Sequence, residues 1–131
     1  MPSPDDAFQY AIWRVVPSVE RGEALNVGVV VYCRRRQFLA ARVLVDDVRL
    51  HALSPGLDVD AIRRHLDGMT RIAAGDPDGG AIAAMPQSER FGWLTAASST
   101  IVQPSPIHTG LCGNPQAVLD RLYTRLVAAG G

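Results

Sequence analysis

A polar segment between Ser88 and Gln116 carries most of the side chains in this sequence that could do chemistry. Consecutive hydroxyl groups with exposed backbone N–H groups can hold an anion. An arginine beside them could bind phosphate or carboxylate through two parallel hydrogen bonds. The segment therefore predicts either a pocket for a small anion or nucleotide, or a rigid polar loop that recognises a partner. The candidate residues are Arg90, Ser98, Ser99, Gln103, His108 and Thr109.

A second polar segment, ERGE from Glu20 to Glu23, lies between two predicted strands. Its carboxylates could act as an acid/base pair or as metal ligands. Two carboxylates without a nearby histidine or third acid specify no metal well, however. The structural alternative is that Gly22 supplies a turn with positive φ and Asn26 ties the loop to the next strand, while the carboxylates pair with arginines. The candidates of this group are Arg14, Glu20, Arg21, Glu23 and Asn26.

Local signatures of catalysis and of metal binding do not occur in the sequence. Ser98 or Ser99 with His108 and Glu20 would formally complete a triad, yet there is no G-x-S-x-G nucleophile motif. The three histidines are scattered, and neither H-x-x-x-H nor C-x-x-C is present. We therefore expect no metal and no cofactor, and we favour a non-catalytic protein.

Charge and hydropathy limit the ligands and the compartment. Thirteen basic residues, all of them arginine, balance thirteen acidic residues. A net charge of zero argues against nucleic acid, and the run Arg34 to Arg36 fits a solvated hairpin tip. The longest apolar run, Val27 to Cys33, is too short to span a membrane, and the first residues do not form a secretory signal. We expect a cytoplasmic protein that does not bind membranes.

Hydrophobic patterning predicts three strands near the start of the chain. Residues 7–16 are rich in aromatic and β-branched side chains, and residues 27–33 are almost purely apolar, which suits a central strand. Residues 38–45 form the third strand. Because the segment between the second and third strands is so short, these two should form an antiparallel hairpin.

Two long helices are predicted after the strands. The first covers residues 58–75 and has an apolar stripe, an aspartate cap and a closing glycine. The second begins at Asn114 and Pro115. Residues 99–103 could form a fourth strand, and the prolines that follow favour extended or turn conformations. This order predicts one domain over residues 1–131, of the α+β class: a small, mainly antiparallel sheet with the two longer helices packed on one face.

Several of these segments resemble the bacterial domain of unknown function family 3037: RVVP, ERGE and NVGV in and between the first two strands, and QPSPIHTGLC near the end. The resemblance covers nearly the whole chain and implies no established activity. Members of the family look like gene neighbours of HipA-like kinase proteins, which implies a role beside a partner protein.

The residues and the resemblance together favour an interaction or accessory module. Its binding surface would combine ERGE with the segment from Ser98 to Gly110. The alternative is a small enzyme or a nucleotide- or phosphate-binding domain that uses Arg90, Ser98, Ser99 and His108. Edge strands of a small sheet can also pair across a two-fold axis, so a homodimer is a further expectation to test.

Overall fold

One antiparallel sheet organises the part of the chain that the structure, a computed structural model, describes: residues 5–96 and 101–129. Its strands are β1 (Asp6–Val15), β2 (Leu25–Cys33), β3 (Phe38–Val43), β4 (Val102–Pro104) and β5 (His108–Cys112). The α-helices are α1 (Asp47–Leu53), α2 (Val59–Ala74), α3 (Gln87–Leu94) and α4 (Pro115–Tyr123). Two short 3-10 turns join α2 to α3, and a π-helical turn over Thr124–Ala128 continues α4. The predicted α+β class is confirmed.

The strand order places β2 and β1 in the middle of the sheet. β3 pairs with β2, β2 pairs with β1, and both β4 and β5 pair with the far side of β1. The predicted hairpin of β2 and β3 is confirmed, and β2 is buried on both faces from Val27 onward. β5 was not predicted as a strand. Its sequence HTGLC shows no alternation of apolar and polar residues and contains a glycine, so the usual strand signal is missing.

Helices cover both faces of the sheet, so the prediction that they pack on one face is wrong. The face with Ala11, Trp13 and Val15 packs against α1, α2 and α3. The face with Val29 and Val31 packs against α4. The physical reason lies in β2, whose side chains are apolar in both directions and require a covering layer on each side.

The predicted helix caps are confirmed for both long helices. Asp58 accepts a hydrogen bond from the Ala61 backbone N–H, and Gly75 ends α2 with φ of 69°. Asn114 caps α4 in the same way, followed by Pro115 in the first turn. In the described ranges, no helix is both long enough and apolar enough to traverse a bilayer.

The indole of Trp13 fixes the contact between the sheet and α3. Trp13 is fully buried, and its Nε1 donates a hydrogen bond of 3.0 Å to the carbonyl oxygen of Leu94. Its cross-strand neighbour is Gly28, just before an irregularity in the pairing of β1 and β2. A Cβ atom at Gly28 would lie 2.9 Å from the indole Cε3 and 2.9 Å from Val43 Cγ1. The ring therefore occupies the space that any side chain at position 28 would need.

This packing predicts opposite effects for two glycine substitutions. Gly28→Ala should lower the free energy of unfolding by about 1 to 3 kcal/mol, because the core around Trp13 must move. Gly68→Ala in α2 is the control: nothing lies within 4 Å of its Cβ position, and alanine should stabilise the helix by about 0.5 to 1 kcal/mol. Urea denaturation of both variants measures the difference, and equal effects would contradict this account of Gly28.

Candidate functional site

Arg90 binds the end of α2. Its side chain is buried, at 8% exposure, and its Nη1 donates hydrogen bonds of 3.0 Å to the carbonyl oxygens of Ile72 and Ala73. These carbonyls belong to the last turn of α2, which carries partial negative charge, and Ile72 also accepts a hydrogen bond from the backbone N–H of Gly75. A Cβ atom at Gly75 would lie 2.8 Å from the same Nη1. The guanidinium thus supplies a charged donor to both carbonyls at the helix terminus.

The structure does not bring Arg90 and His108 together. α3, which carries Arg90, packs on the sheet face that contains Trp13. His108 pairs with Tyr10 in register, and the two rings stack at 5.1 Å on the opposite face. Ser98 and Ser99 lie outside the described residues. Arg90 and His108 therefore cannot line one phosphate pocket, because the sheet lies between their side chains.

The ERGE loop forms a separate surface at one end of the sheet. Glu20 and Arg21 are exposed, and Arg21 Nη2 lies 2.9 Å from Glu23 Oε1. An exposed ion pair of this kind contributes little to stability. The loop follows Val15, whereas His108 lies opposite Tyr10, about 17 Å back along β1. One small ligand cannot contact both segments, although the sequence suggested a combined surface.

Strand register places three of the candidate residues in one row across the sheet. Arg14 pairs with Asn26 of β2 on one side and with Gln103 of β4 on the other. Asn26 has a structural task, because its Nδ2 donates a hydrogen bond of 3.0 Å to the carbonyl oxygen of Leu126 and fastens the π-helical turn to the sheet. Arg14 and Gln103 remain partly exposed.

α4 covers only part of its side of the sheet. α4 packs over β2 and β3, while the side chains of β1 beyond Phe8 stay partly exposed, as does the neighbouring part of β4 and β5. Among the described elements, α4 leaves this region partly exposed, and we call it the open face. It consists of Tyr10, Ile12, Arg14, Gln103 and His108.

Arg14 has few hydrogen-bond partners for a guanidinium. Its Nη2 is 3.4 Å from the carbonyl oxygen of Pro104, which is a long hydrogen bond, and its buried Nε has no partner. Within the described ranges, no carboxylate forms an ion pair with it. A guanidinium has five N–H donors, so Arg14 keeps capacity for an external acceptor.

The β5 edge presents unpaired backbone groups. Ile12 exchanges hydrogen bonds with Ser105, so its N–H and C=O point toward β4 and β5, as do those of every second residue back along β1. Their partners in β5 are His108, Gly110 and Cys112. The N–H and C=O groups of Thr109 and Leu111 must therefore point away from β1. Both side chains are exposed, Leu111 by 71%.

Cys112 and Cys33 are buried free thiols. Burial is the main reason that the pKa of Cys112 is raised, and the neighbouring Cys33 thiol raises it further, while Arg36 and the backbone N–H of Asn114 lower it. The Cys112 side chain is therefore a neutral thiol near pH 7 and a poor nucleophile.

Comparison of the chain with known protein families gives one match. A model of the family described as protein of unknown function (DUF3037) matches residues 10–127. The chain belongs to this family. The match extends from the middle of β1 to the π-helical turn, so it covers the second half of β1 and the whole of β2 to β5. No curated protein and no solved structure matches the chain.

Several residues in and around the open face and the β5 edge were not selected in the sequence analysis, although the distribution of acidic residues in the sequence points to this region. Neither residues 7–19 nor residues 101–119 contain an acidic residue, whereas the whole chain has thirteen. Those two segments build β1, β4, β5 and the start of α4. Local lack of acid, rather than net charge, is the signal for Tyr10 and Leu111, whereas Arg121 and Arg125 lie just beyond the second segment. The residues overlooked are Tyr10, Leu111, Arg121 and Arg125.

The role of Arg90 can be tested by stability. Arg90→Met should lower the free energy of unfolding by about 2 to 3 kcal/mol, because two helix-terminal carbonyls lose a charged donor. Arg64→Met, at an exposed position of α2, is the control and should change it by less than about 0.5 kcal/mol. If Arg90→Met unfolds like the wild type in urea, the capping role is wrong.

The raised pKa of Cys112 predicts a pH dependence of stability. An unfolded thiol ionises near pH 8.5, whereas the folded thiol stays neutral to higher pH. Above about pH 8.5 the unfolded state loses this proton first, so the free energy of unfolding falls as the pH rises. In urea denaturation, the free energy of unfolding of Cys112→Ala should decline less than that of the wild type between about pH 8 and about pH 10. An unchanged slope would contradict the assignment.

Proposed function

We propose that this DUF3037 protein is a non-catalytic binding module that adds an extended segment of a partner protein to the β5 edge of its sheet. One observation carries the proposal: the backbone N–H and C=O groups of Thr109 and Leu111 point outward, and no described strand pairs with them. Strand addition is a common mode of peptide recognition, in which main-chain hydrogen bonds supply affinity.

The side chains around this edge support the same mode of binding. Ile107 is 45% exposed and Leu111 is 71% exposed, so an added strand would bury apolar surface as well as form hydrogen bonds. Pro104 and Pro106 flank the other end of the edge, where proline cannot donate to a new strand. The binding window is therefore β5 itself.

A non-catalytic role is supported by the positions of the reactive candidates. Arg90 is occupied by the end of α2, and the pKa of Cys112 is raised by burial, so neither is poised to react. The resemblance noted in the sequence makes a HipA-like kinase the first partner to examine. Free thiols at both cysteines favour a reducing compartment such as the cytoplasm.

A single proline tests the proposal. Because the N–H of Thr109 points away from β1, Thr109→Pro removes the donor from the edge without removing a hydrogen bond inside the sheet. We expect partner affinity to fall about tenfold or more. Thr109→Val, which keeps the N–H, is the matched control and should bind like the wild type. Circular dichroism melting checks that both variants fold.

The measurement is native mass spectrometry of each tagged variant, purified gently from its own host. The proposal expects a stoichiometric companion protein with the wild type and Thr109→Val, and its loss with Thr109→Pro. A companion that persists in Thr109→Pro would rule out strand addition at β5. A second copy of the chain as the only companion would instead mean that the edge forms a homodimer.

A further inference from the structure

We infer that the partner segment is acidic and that its carboxylates bind the open face beside the β5 edge. This inference rests on the proposed function, since it names the chemistry of the segment that the edge would hold. It follows from the distribution of charge around β1, α4 and the two edge strands.

Arg14 supplies the first cation. Its side chain crosses from β1 toward the edge, because its Nη2 reaches the carbonyl oxygen of Pro104 in β4. It lies on the same face as His108, four residues away along β1 by register, which is about 14 Å. A strand added to the edge would place every second side chain on this face. Its carboxylates could thus reach His108 beside β5 and, where the segment continues past Pro106, Arg14 beside β4.

α4 supplies two further cations. Asp120 and Tyr123 mark the flank of α4 that faces β3, because Arg42 lies 3.1 Å from the Asp120 carboxylate and 3.9 Å from the Tyr123 ring centre. At 100° per residue, Arg121 lies on the opposite flank of α4, toward β1 and the open face, and Arg125 follows it in the π-helical turn. Both are exposed, and within residues 5–96 and 101–129 neither forms an ion pair.

No carboxylate of the described residues forms an ion pair with Arg14, Arg121 or Arg125. Asp6, at the far end of β1, is 2.8 Å from Arg36 and 3.8 Å from Arg35. Asp120 is engaged by Arg42 on the other flank of α4. Three arginines therefore surround a partly apolar surface in a protein whose net charge is zero. Such a local field attracts an acidic ligand and repels a basic one.

The floor of the open face favours a peptide over a free small anion. Tyr10 and Ile12 are partly exposed between the cations, and the Tyr10 ring stacks with His108. An extended peptide with alternating acidic and apolar residues can satisfy the arginines and cover this floor. A small anion would leave the floor in contact with water.

Fluorescence anisotropy with defined peptides tests the inference. The probe is a labelled eight-residue peptide of alternating Glu and Val, which offers carboxylates in any register. The comparison peptides alternate Thr with Val and Lys with Val, and a labelled uridine octanucleotide represents nucleic acid. We expect the Glu peptide to bind about tenfold more tightly than the Thr peptide, and less tightly as salt is raised.

Charge variants locate the binding surface. Arg14→Gln and Arg125→Gln should each weaken binding of the Glu peptide by about threefold to tenfold. Arg64→Gln is the matched control, because Arg64 is exposed on α2, on the other side of the sheet, and forms no ion pair with a described residue. It removes the same charge and should leave binding unchanged. If all three variants lose affinity for the Glu peptide equally, the effect comes from net charge alone and the inference is wrong.

Thr109→Pro separates failure of this inference from failure of the proposed function. If the Glu and Thr peptides bind equally and Thr109→Pro abolishes both, strand addition stands and the acidic partner is wrong. If the Glu peptide requires Arg14 but tolerates Thr109→Pro, the basic face stands and strand addition is wrong. Binding of the oligonucleotide in preference to every peptide, or of no probe at all, would overturn the inference.

Discussion

The fold of this chain depends on β2, a strand that is apolar on both faces. Such a strand must lie inside a sheet and needs a layer of helices on each side, because either face left in water would forfeit the free energy of burial. β1 and β3 flank it, α1 to α3 cover one face, and α4 covers the other. α4 with its π-helical turn is too narrow a layer to cover all five strands. The rest of that face is left as the open face.

Arginine provides much of the polar cross-linking in this fold, in a chain that contains no lysine. Arg49 donates hydrogen bonds of 3.1 Å to the carbonyl oxygens of Val127 and Ala128 and so holds α1 against the π-helical turn. Arg90 does the same for the end of α2. A planar guanidinium can satisfy several carbonyl oxygens at once, whereas an ammonium group acts as a point charge. Arg14 is placed differently, because the structure around it supplies only one long hydrogen bond, from its Nη2 to the carbonyl oxygen of Pro104 at the edge of the sheet.

The edge and the open face are two parts of one surface. β5 supplies outward backbone groups, and the side chains next to it on the α4 side are aromatic, apolar and cationic. Backbone hydrogen bonds would hold any extended segment, and charge would select among segments. Pro104 in β4 and Pro106 just after it confine the pairing to β5, which also limits unwanted association of edges. Affinity would thus depend on the backbone of β5, and specificity on the charged side chains of the open face.

The sequence by itself determined the elements whose signals are local. The strands β1 to β3, the caps of α2 and α4, and the α+β class all follow from patterns within about twenty residues, where propensity and capping act. Tertiary structure alone decided three things. It placed α4 on the opposite face, it turned His108–Cys112 into an edge strand through pairing with β1, and it separated Arg90 from His108. Each depends on contacts between residues far apart in the chain, because burial and strand pairing are satisfied by whichever segments meet in space and leave little trace in the local pattern.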